Sequence, residues 1–257
     1  MSGGIDKTAV RRRFGRSLGT YNQAAAVQRV MAETLLDVFT LATGERQFAE
    51  IVELGCGGGI LTDLLASRFD FARLTLVDLV PECEALHRDR PNTRFLAGDI
   101  ETMGLPEGGL YLSNAVFQWT EEPGRLFGRI AGKLSGGGPL GFTTFCPGTL
   151  REIAELTGRG LVYRSGEEWR SLLEANGFDV LAAREEKLVP EFDSPLDVLR
   201  SLKATGVTAV APAEKWTRRR LAEFCDAYTG KFRLENGKFP LTYHPVALVA
   251  QKKDPES

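Results

Sequence analysis

An α/β fold, with helices on both faces of a parallel sheet, is what this sequence predicts, and three observations carry the prediction. Along the middle of the chain, short apolar, strand-like runs alternate with segments of helical periodicity. One strand-like run passes straight through a cluster of glycines into a helical pattern. Neighbouring strand-like runs end on or just before Asp78, Asp99 and Asn114, where a ligand would meet the edge of the sheet.

The elements follow in order. Residues 5–20 are basic, with Lys7, Arg11, Arg12, Arg13 and Arg16, and could form a short helix; Phe14 and Leu18, four apart, share a face of it. Val27, Val30, Met31, Leu35 and Val38 keep helical spacing to about Leu41, and Gly44 is the expected stop. Tyr21 and Gln28 stand at the start of that helix, two turns apart and on a common side. As isolated residues both read as surface positions.

Strands are predicted over 49–54, 72–78, 93–97, 109–114 and 138–145, and helices over 59–69, 82–89 and 122–134. This alternation implies right-handed crossovers between parallel strands. After residue 146 come more helices and a strand near 178–188. Helices over 194–205 and 212–229, opened by Pro195 and Pro212, precede a final strand over 239–250. The chain thus reads as a single domain over 1–257: N-terminal helices over 1–44, a core over 45–190, a helical insert over 191–238 and a last strand over 239–251.

Composition narrows the function classes. The net charge of −2 gives no footprint for nucleic acid or an acidic membrane surface, and no apolar run approaches a membrane span. Four scattered cysteines, no C-x-x-C pair and two histidines argue against a structural zinc site, so no metal is expected. Reduced thiols and the lack of an apolar leader fit a cytoplasmic protein.

The glycine cluster reads Ile51-Val52-Glu53-Leu54-Gly55-Cys56-Gly57-Gly58-Gly59-Ile60. Glycines allow a tight turn and close approach of a ligand to the backbone, and the helix that follows offers free N–H groups. A dinucleotide fingerprint would need a glycine where Ile60 stands. The spacing Glu53-x-Gly55-x-Gly57-x-Gly59 instead resembles motif I of class I S-adenosylmethionine-dependent methyltransferases. Asp78 ends the next strand, where an acid can accept both ribose hydroxyls. Phe95-Leu96-Ala97-Gly98-Asp99-Ile100 resembles that family's acid at the adenine. The resemblance implies a Rossmann-like sheet and S-adenosyl-L-methionine as cofactor, leaving S-adenosyl-L-homocysteine. Its expected contacts are Glu53, Gly55, Gly57, Asp78, Leu79, Asp99, Ile100 and Asn114.

The fourth strand runs into Ser113-Asn114-Ala115-Val116-Phe117-Gln118-Trp119. This run lacks the N-P-P-Y or D-P-P-Y of methyltransferases acting on amide or amine nitrogen. It offers aromatic rings and the amides of Asn114 and Gln118 instead. Phe117 reads as a core ring, and Trp119 equally as a core ring or a site residue. A carboxylate acceptor suits such a site, because it is ionised at pH 7 without a base and gains from water-poor surroundings. His87 reads as a surface residue and His244 as a satisfied histidine within the last strand.

Further runs are similar to one subfamily, the malonyl-acyl-carrier-protein O-methyltransferases of biotin synthesis. They are Phe14 with Tyr21, Ala25 and Gln28; Gly98-Asp99-Ile100-Glu101; Ser113-Asn114 with Gln118-Trp119; Gly141-Phe142-Thr143-Thr144; Leu199-Arg200-Ser201-Leu202-Lys203 with Gly206 and Thr208; and Phe239-Pro240-Leu241-Thr242-Tyr243-His244. Gly58 departs from the subfamily, which often has proline there.

The resemblance implies methylation of the free carboxylate of a malonyl thioester, with malonyl-acyl carrier protein or malonyl-coenzyme A as partner. Another small carboxylic acid is the alternative acceptor. It brings Tyr21 and Gln28 to the cofactor's methionine end, with the N-terminal helices as a lid. No catalytic base is required; Tyr21 and Trp119 would position the acceptor. Thr144, Arg200, Lys203, Tyr243 and His244 would bind it, Arg200 or Lys203 through the carboxylate or through the carrier's phosphate. The insert from Ser194 to Pro240 carries nine Lys/Arg against five acids in a chain of net −2, which suits an acidic carrier.

Overall fold

The computed structural model describes residues 6–205 and 217–253, apart from the side chains of residue 17 and residues 20–23. In chain order the strands are β1 (Gln47–Leu54), β2 (Asp70–Asp78), β3 (Thr93–Ala97), β4 (Leu110–Asn114), β5 (Pro139–Phe145), β6 (Phe178–Glu185), β7 (Glu191–Phe192), β8 (Phe239–Pro240) and β9 (Pro245–Lys252). The helices are α1 (Lys7–Ala24), α2 (Ala26–Thr43), α3 (Ile60–Arg68), α4 (Glu84–His87), α5 (Pro123–Ala131), α6 (Arg151–Thr157), α7 (Gly166–Ala175), α8 (Pro195–Ala204) and α9 (Arg218–Phe232).

Seven strands form one sheet in the order β3-β2-β1-β4-β5-β9-β6. Parallel pairing sets Leu54 level with Val77 on one side and with Ser113 on the other. The carboxyl ends of β1, β2 and β4 therefore finish together. The chain steps outward from β1 to β2 and β3 and then crosses back to β4 on the other side of β1, and the crevice of such a sheet opens between β1 and β4, where the order reverses.

Both faces are covered, as predicted. One face packs α2 and α3 through Leu35, Leu36, Phe39, Leu61 and Leu65 against Ile51, Leu74 and Leu112. The other packs α5 and α7 around Phe117, Phe127, Phe142 and Trp169, with Phe117 and Phe142 centroids 4.8 Å apart. A third cluster, including Val198, Leu202, Phe224 and Tyr228, seats the insert against Phe145 and Tyr243.

The structure departs from the sequence reading in several places. The N-terminal helix runs on to Ala24 and α2 is separate, because Ala25, fully buried, leaves helical dihedrals at φ −90°, ψ 42°. Tyr21 and Gln28 thus belong to different helices. Val30 is 38 % exposed, whereas Gln28 is buried, so the core face of α2 is rotated from the expected one. Gly44 does stop α2, in the left-handed conformation at φ 69°.

The last strand is interrupted. Phe239 and Pro240 pair with β7, and β9 begins at Pro245, antiparallel to both of its neighbours. Both prolines lack an N–H, and between them Thr242 N–H donates to Glu152 at 3.0 Å and His244 N–H to Thr149 Oγ1 at 3.0 Å. The expected helix start at Pro212, with Gly206 and Thr208, lies outside the described residues; α9 is described from Arg218.

Candidate active site

The glycine loop is held by β2 and by its own conformation. Gly55, Gly57 and Gly59 have φ of 77°, 48° and 87°, a region that side chains rarely adopt. A Cβ on Gly55 would stand 2.3 Å from Val116 Cγ2, so the loop and the end of β4 interlock. Gly57 N–H donates to Asp78 Oδ2 at 2.8 Å, and Val80 N–H donates to Oδ1 at 2.8 Å. Burial raises the Asp78 carboxyl above its ordinary pKa, and these backbone donors oppose the rise.

His87, expected at the surface, is 3 % exposed and packs beneath the loop. Its Nε2 bonds the Gly57 carbonyl at 3.1 Å and its Nδ1 accepts from Arg90 Nε at 3.1 Å. Those partners define the neutral Nε2–H tautomer, in keeping with a pKa lowered by burial. Glu53 does not reach the ligand side of the loop. It is 1 % exposed and accepts from Thr62 of α3 at 2.8 Å, and burial pushes its carboxyl up to about 8.

Above these strand ends lies a cavity of about 890 Å³, its open mouth included. Gly55, Gly57, Gly58, Asp78, Leu79, Asp99, Ile100 and Asn114 line its floor. Its roof is α1, which presents Lys7, Val10, Phe14 and Leu18 at helical spacing. Lys7 pairs with Asp99 at 2.6 Å and with Glu101, closing α1 across the opening. Burial alone would lower the Lys7 pKa, but the two carboxylates raise it overall.

A second chamber of about 380 Å³, its open mouth included, adjoins the first and shares Phe14, Ala115 and Trp119 with it. Phe14 meets Trp119 edge-on, with centroids 5.8 Å apart. Ala115, between the chambers, takes φ 57°, an uncommon conformation fixed by N–H bonds to the Thr143 carbonyl at 3.1 Å and hydroxyl at 3.0 Å. Such outliers cluster at functional sites.

The chambers sort the expected site residues. Gly55, Gly57, Asp78, Leu79, Asp99, Ile100 and Asn114 come together around the first. Gln28 and Tyr243 line the second, and Trp119 lines both. Phe117 is fully buried in the core, as read. Thr144 is fully buried behind Gln118, to which its hydroxyl donates at 3.1 Å. Arg200 and Lys203 stand on the exposed side of α8 and line neither chamber; Arg200 pairs with Asp197 at 2.8 Å. His244 lies just before β9, away from both, bonding Pro147 O at 3.0 Å and facing Glu185 at 3.2 Å. The side chain of Tyr21 lies outside the described residues.

Sequence reasoning missed Lys7 and Tyr163. The repeat Lys7, Val10, Phe14, Leu18 was a usable signal for the first. Tyr163 sits in an irregular segment between α6 and α7 with no motif around it.

Comparison with known proteins gives the family. The sequence profile described as "Methyltransferase domain" matches residues 52–142, from β1 through β5. The malonyl-[acyl-carrier protein] O-methyltransferase of Porphyromonas gingivalis is 40 % identical over 249 residues, 96 % of each chain. That of Chlorobium phaeovibrioides is 37 % identical over 262 residues, 99 % of this chain and 100 % of the relative. The chain belongs to the malonyl-[acyl-carrier protein] O-methyltransferase family.

Solved structures agree on the fold. YcgJ of Bacillus subtilis superposes with a TM-score of 0.62 at 14 % identity, covering 86 % of this chain and 99 % of that one. The N-methyltransferase NodS of Bradyrhizobium japonicum, solved with S-adenosyl-L-homocysteine, superposes at 0.51 with 14 % identity, covering 86 % and 87 %. In this O-methyltransferase family member the insert carrying α8 and α9 closes the second chamber through Thr205. Among the described residues no helix is long and apolar enough to cross a membrane, and no cluster of His, Cys, Asp and Glu could hold a metal ion.

Proposed function

We propose that this enzyme transfers the methyl group of S-adenosyl-L-methionine to the free carboxylate of malonyl-acyl carrier protein. The observation that carries the reading is the pair of adjoining chambers with one shared aromatic wall, Phe14 and Trp119. The first suits the cofactor. It is a concave, mostly apolar space with a few converging polar groups, the usual form of a small-molecule site. A Cβ on Gly57 would meet no protein atom within 4 Å, so the loop backbone faces open space that a ligand can fill.

Asp78 would accept the ribose hydroxyls, because its two oxygens are already oriented by Gly57 and Val80. Asp99 and Ile100 would hold the adenine end, and Gly55, Gly57 and Asn114 the methionine end. When bound, the cofactor supplies a methyl on a sulfonium, whose C–S electron pair stays on sulfur as the methyl passes to a carboxylate oxygen. The chain has only to bind, orient and exclude water. The acceptor arrives ionised, so no proton has to move. Phe14 and Trp119 keep the junction apolar, which favours a reaction that neutralises charge.

The carrier would approach where α1 packs on α8. The first of these helices holds Lys7, Arg11, Arg12, Arg13 and Arg16 and no acid, and Arg200 and Lys203 are exposed on the second. Exposed cations there steer an acidic partner.

Mass spectrometry of malonyl-carrier protein after incubation with enzyme and cofactor tests the reading: one added methyl is expected, and an unchanged carrier refutes it. Asp78→Ala should weaken binding of S-adenosylhomocysteine by on the order of 2–4 kcal/mol in calorimetry. Unaltered affinity would remove Asp78 from the cofactor site.

A further inference from the structure

The second chamber contains polar groups that the fold itself does not use. Gln28 is 4 % exposed, yet among the described residues its carboxamide has no hydrogen-bond partner. Its position is fixed from behind, because its backbone carbonyl accepts from Asn114 Nδ2 at 3.0 Å. Tyr163 packs its ring edge-on against Phe145, centroids 6.3 Å apart, and its hydroxyl too has no hydrogen-bond partner among the described residues. Tyr163 is half-buried, and neither polar group is shut away in the core, so both remain available to a ligand in the chamber.

Three neighbouring polar groups are already engaged. Gln118 donates to the Ala115 carbonyl at 2.6 Å and accepts from Thr144. The Thr149 hydroxyl donates to the Cys146 carbonyl at 2.9 Å, and that of Thr205 to the Ser201 carbonyl at 3.0 Å. Among the described residues no charged side chain lines the chamber.

We propose that Gln28 and Tyr163 bind the acceptor carboxylate, so that the group to be methylated is held by neutral donors. The inference rests on the malonyl thioester reading given above. Its chemistry follows from charge. A guanidinium or ammonium at the carboxylate would stabilise the anion most before transfer and lose that stabilisation as the ester forms, which deepens the ground state. Neutral donors orient the oxygen at less cost to its nucleophilicity. They also hold the ester less tightly than the carboxylate, because hydrogen bonds to charged oxygen are the stronger ones, and this favours product release. In the transfer one O–C bond forms and one C–S bond breaks, its electron pair leaving with sulfur; no proton is exchanged. Burial raises the Tyr163 phenol above its ordinary pKa, so it stays a donor throughout the working pH range.

Tyr163→Phe and Gln28→Met each remove the donor while keeping the bulk of the side chain. Steady-state kinetics with malonyl-carrier protein as the varied substrate, and calorimetry with S-adenosylhomocysteine, are run on the full chain. The expected result is a fall of about ten- to a hundredfold in kcat/KM for one or both variants, with homocysteine-product affinity and melting temperature within twofold and a few degrees of wild type. Wild-type kcat/KM in both variants overturns the assignment. A parallel loss of S-adenosylhomocysteine affinity also overturns it, by moving the pair to the cofactor side. A wild-type enzyme that methylates no malonyl thioester overturns instead the reading on which the assignment rests.

Discussion

Lys7 and Asp99 lie 92 residues apart in sequence and 2.6 Å apart in space, Nζ to Oδ2, across the mouth of the cofactor-side cavity. The same ammonium donates to Glu101, whose carboxylate also accepts the N–H of Glu122 at 2.8 Å just ahead of α5. The roof helix is thereby fastened to the loop that would hold the adenine end. Lys7 is 26 % and Asp99 22 % exposed, so the contact is partly sheltered from salt.

Lys7→Met should release that fastening. S-adenosylhomocysteine affinity should fall by about 1–2 kcal/mol, with faster dissociation in stopped-flow measurements and little change in melting temperature. Tighter binding in the variant would show that Lys7 competes with the ligand for Asp99.

Glu53 makes folding depend on pH. Its carboxyl has an ordinary pKa of 4.5 and is raised to about 8 in the fold, chiefly by burial. Between those values the folded apoenzyme keeps a proton that the unfolded chain has lost. Stability from this group is therefore full below pH 4.5 and declines as pH rises toward 8. The limiting slope is about 1.4 kcal/mol per pH unit. Glu53→Gln, which keeps an acceptor for Thr62, should flatten the decline in urea unfolding measured across that window. Asp78, raised in the same direction, leaves a residual slope. Identical slopes in wild type and variant would show that Glu53 is ionised in the fold.

Arg200→Ala and Lys203→Ala should raise KM for malonyl-carrier protein by about three- to tenfold and leave kcat unchanged, because both side chains stand outside the chambers. The increase should shrink at high ionic strength. A fall in kcat at saturating acceptor would place one of them at the reacting carboxylate.

What was legible in the sequence was what local backbone chemistry dictates. Gly55, Gly57 and Gly59 are needed where φ is positive, and Asp78 and Asn114 stand at strand ends that apolar runs announce. The parallel character of the sheet's core and the placing of seven of the expected residues around one cavity followed from that. The failures came from contacts that no periodicity records. Ala25 sets the break between the first two helices after Tyr21 rather than before it, with no glycine or proline to mark the place. His87 and Gln28 are buried by neighbours distant in sequence, the loop carbonyl of Gly57 and the end of β4. Thr144 alternates to the wrong side of Gln118, and Tyr163 arrives on a loop whose course only the finished core decides.

Phe14 has one further consequence. Its ring lines both chambers, so on the proposed reading the acceptor's chamber has that wall only while α1 is in place over the cofactor's. If α1 lifts to admit the methyl donor, the expected order is donor first and its spent form last. Enzyme kinetics then take the shape of a queue, with S-adenosylhomocysteine competing against the donor but acting noncompetitively against the acceptor. Random-order initial-rate patterns would show that the edge-to-face contact between Phe14 and Trp119 does not couple the two chambers.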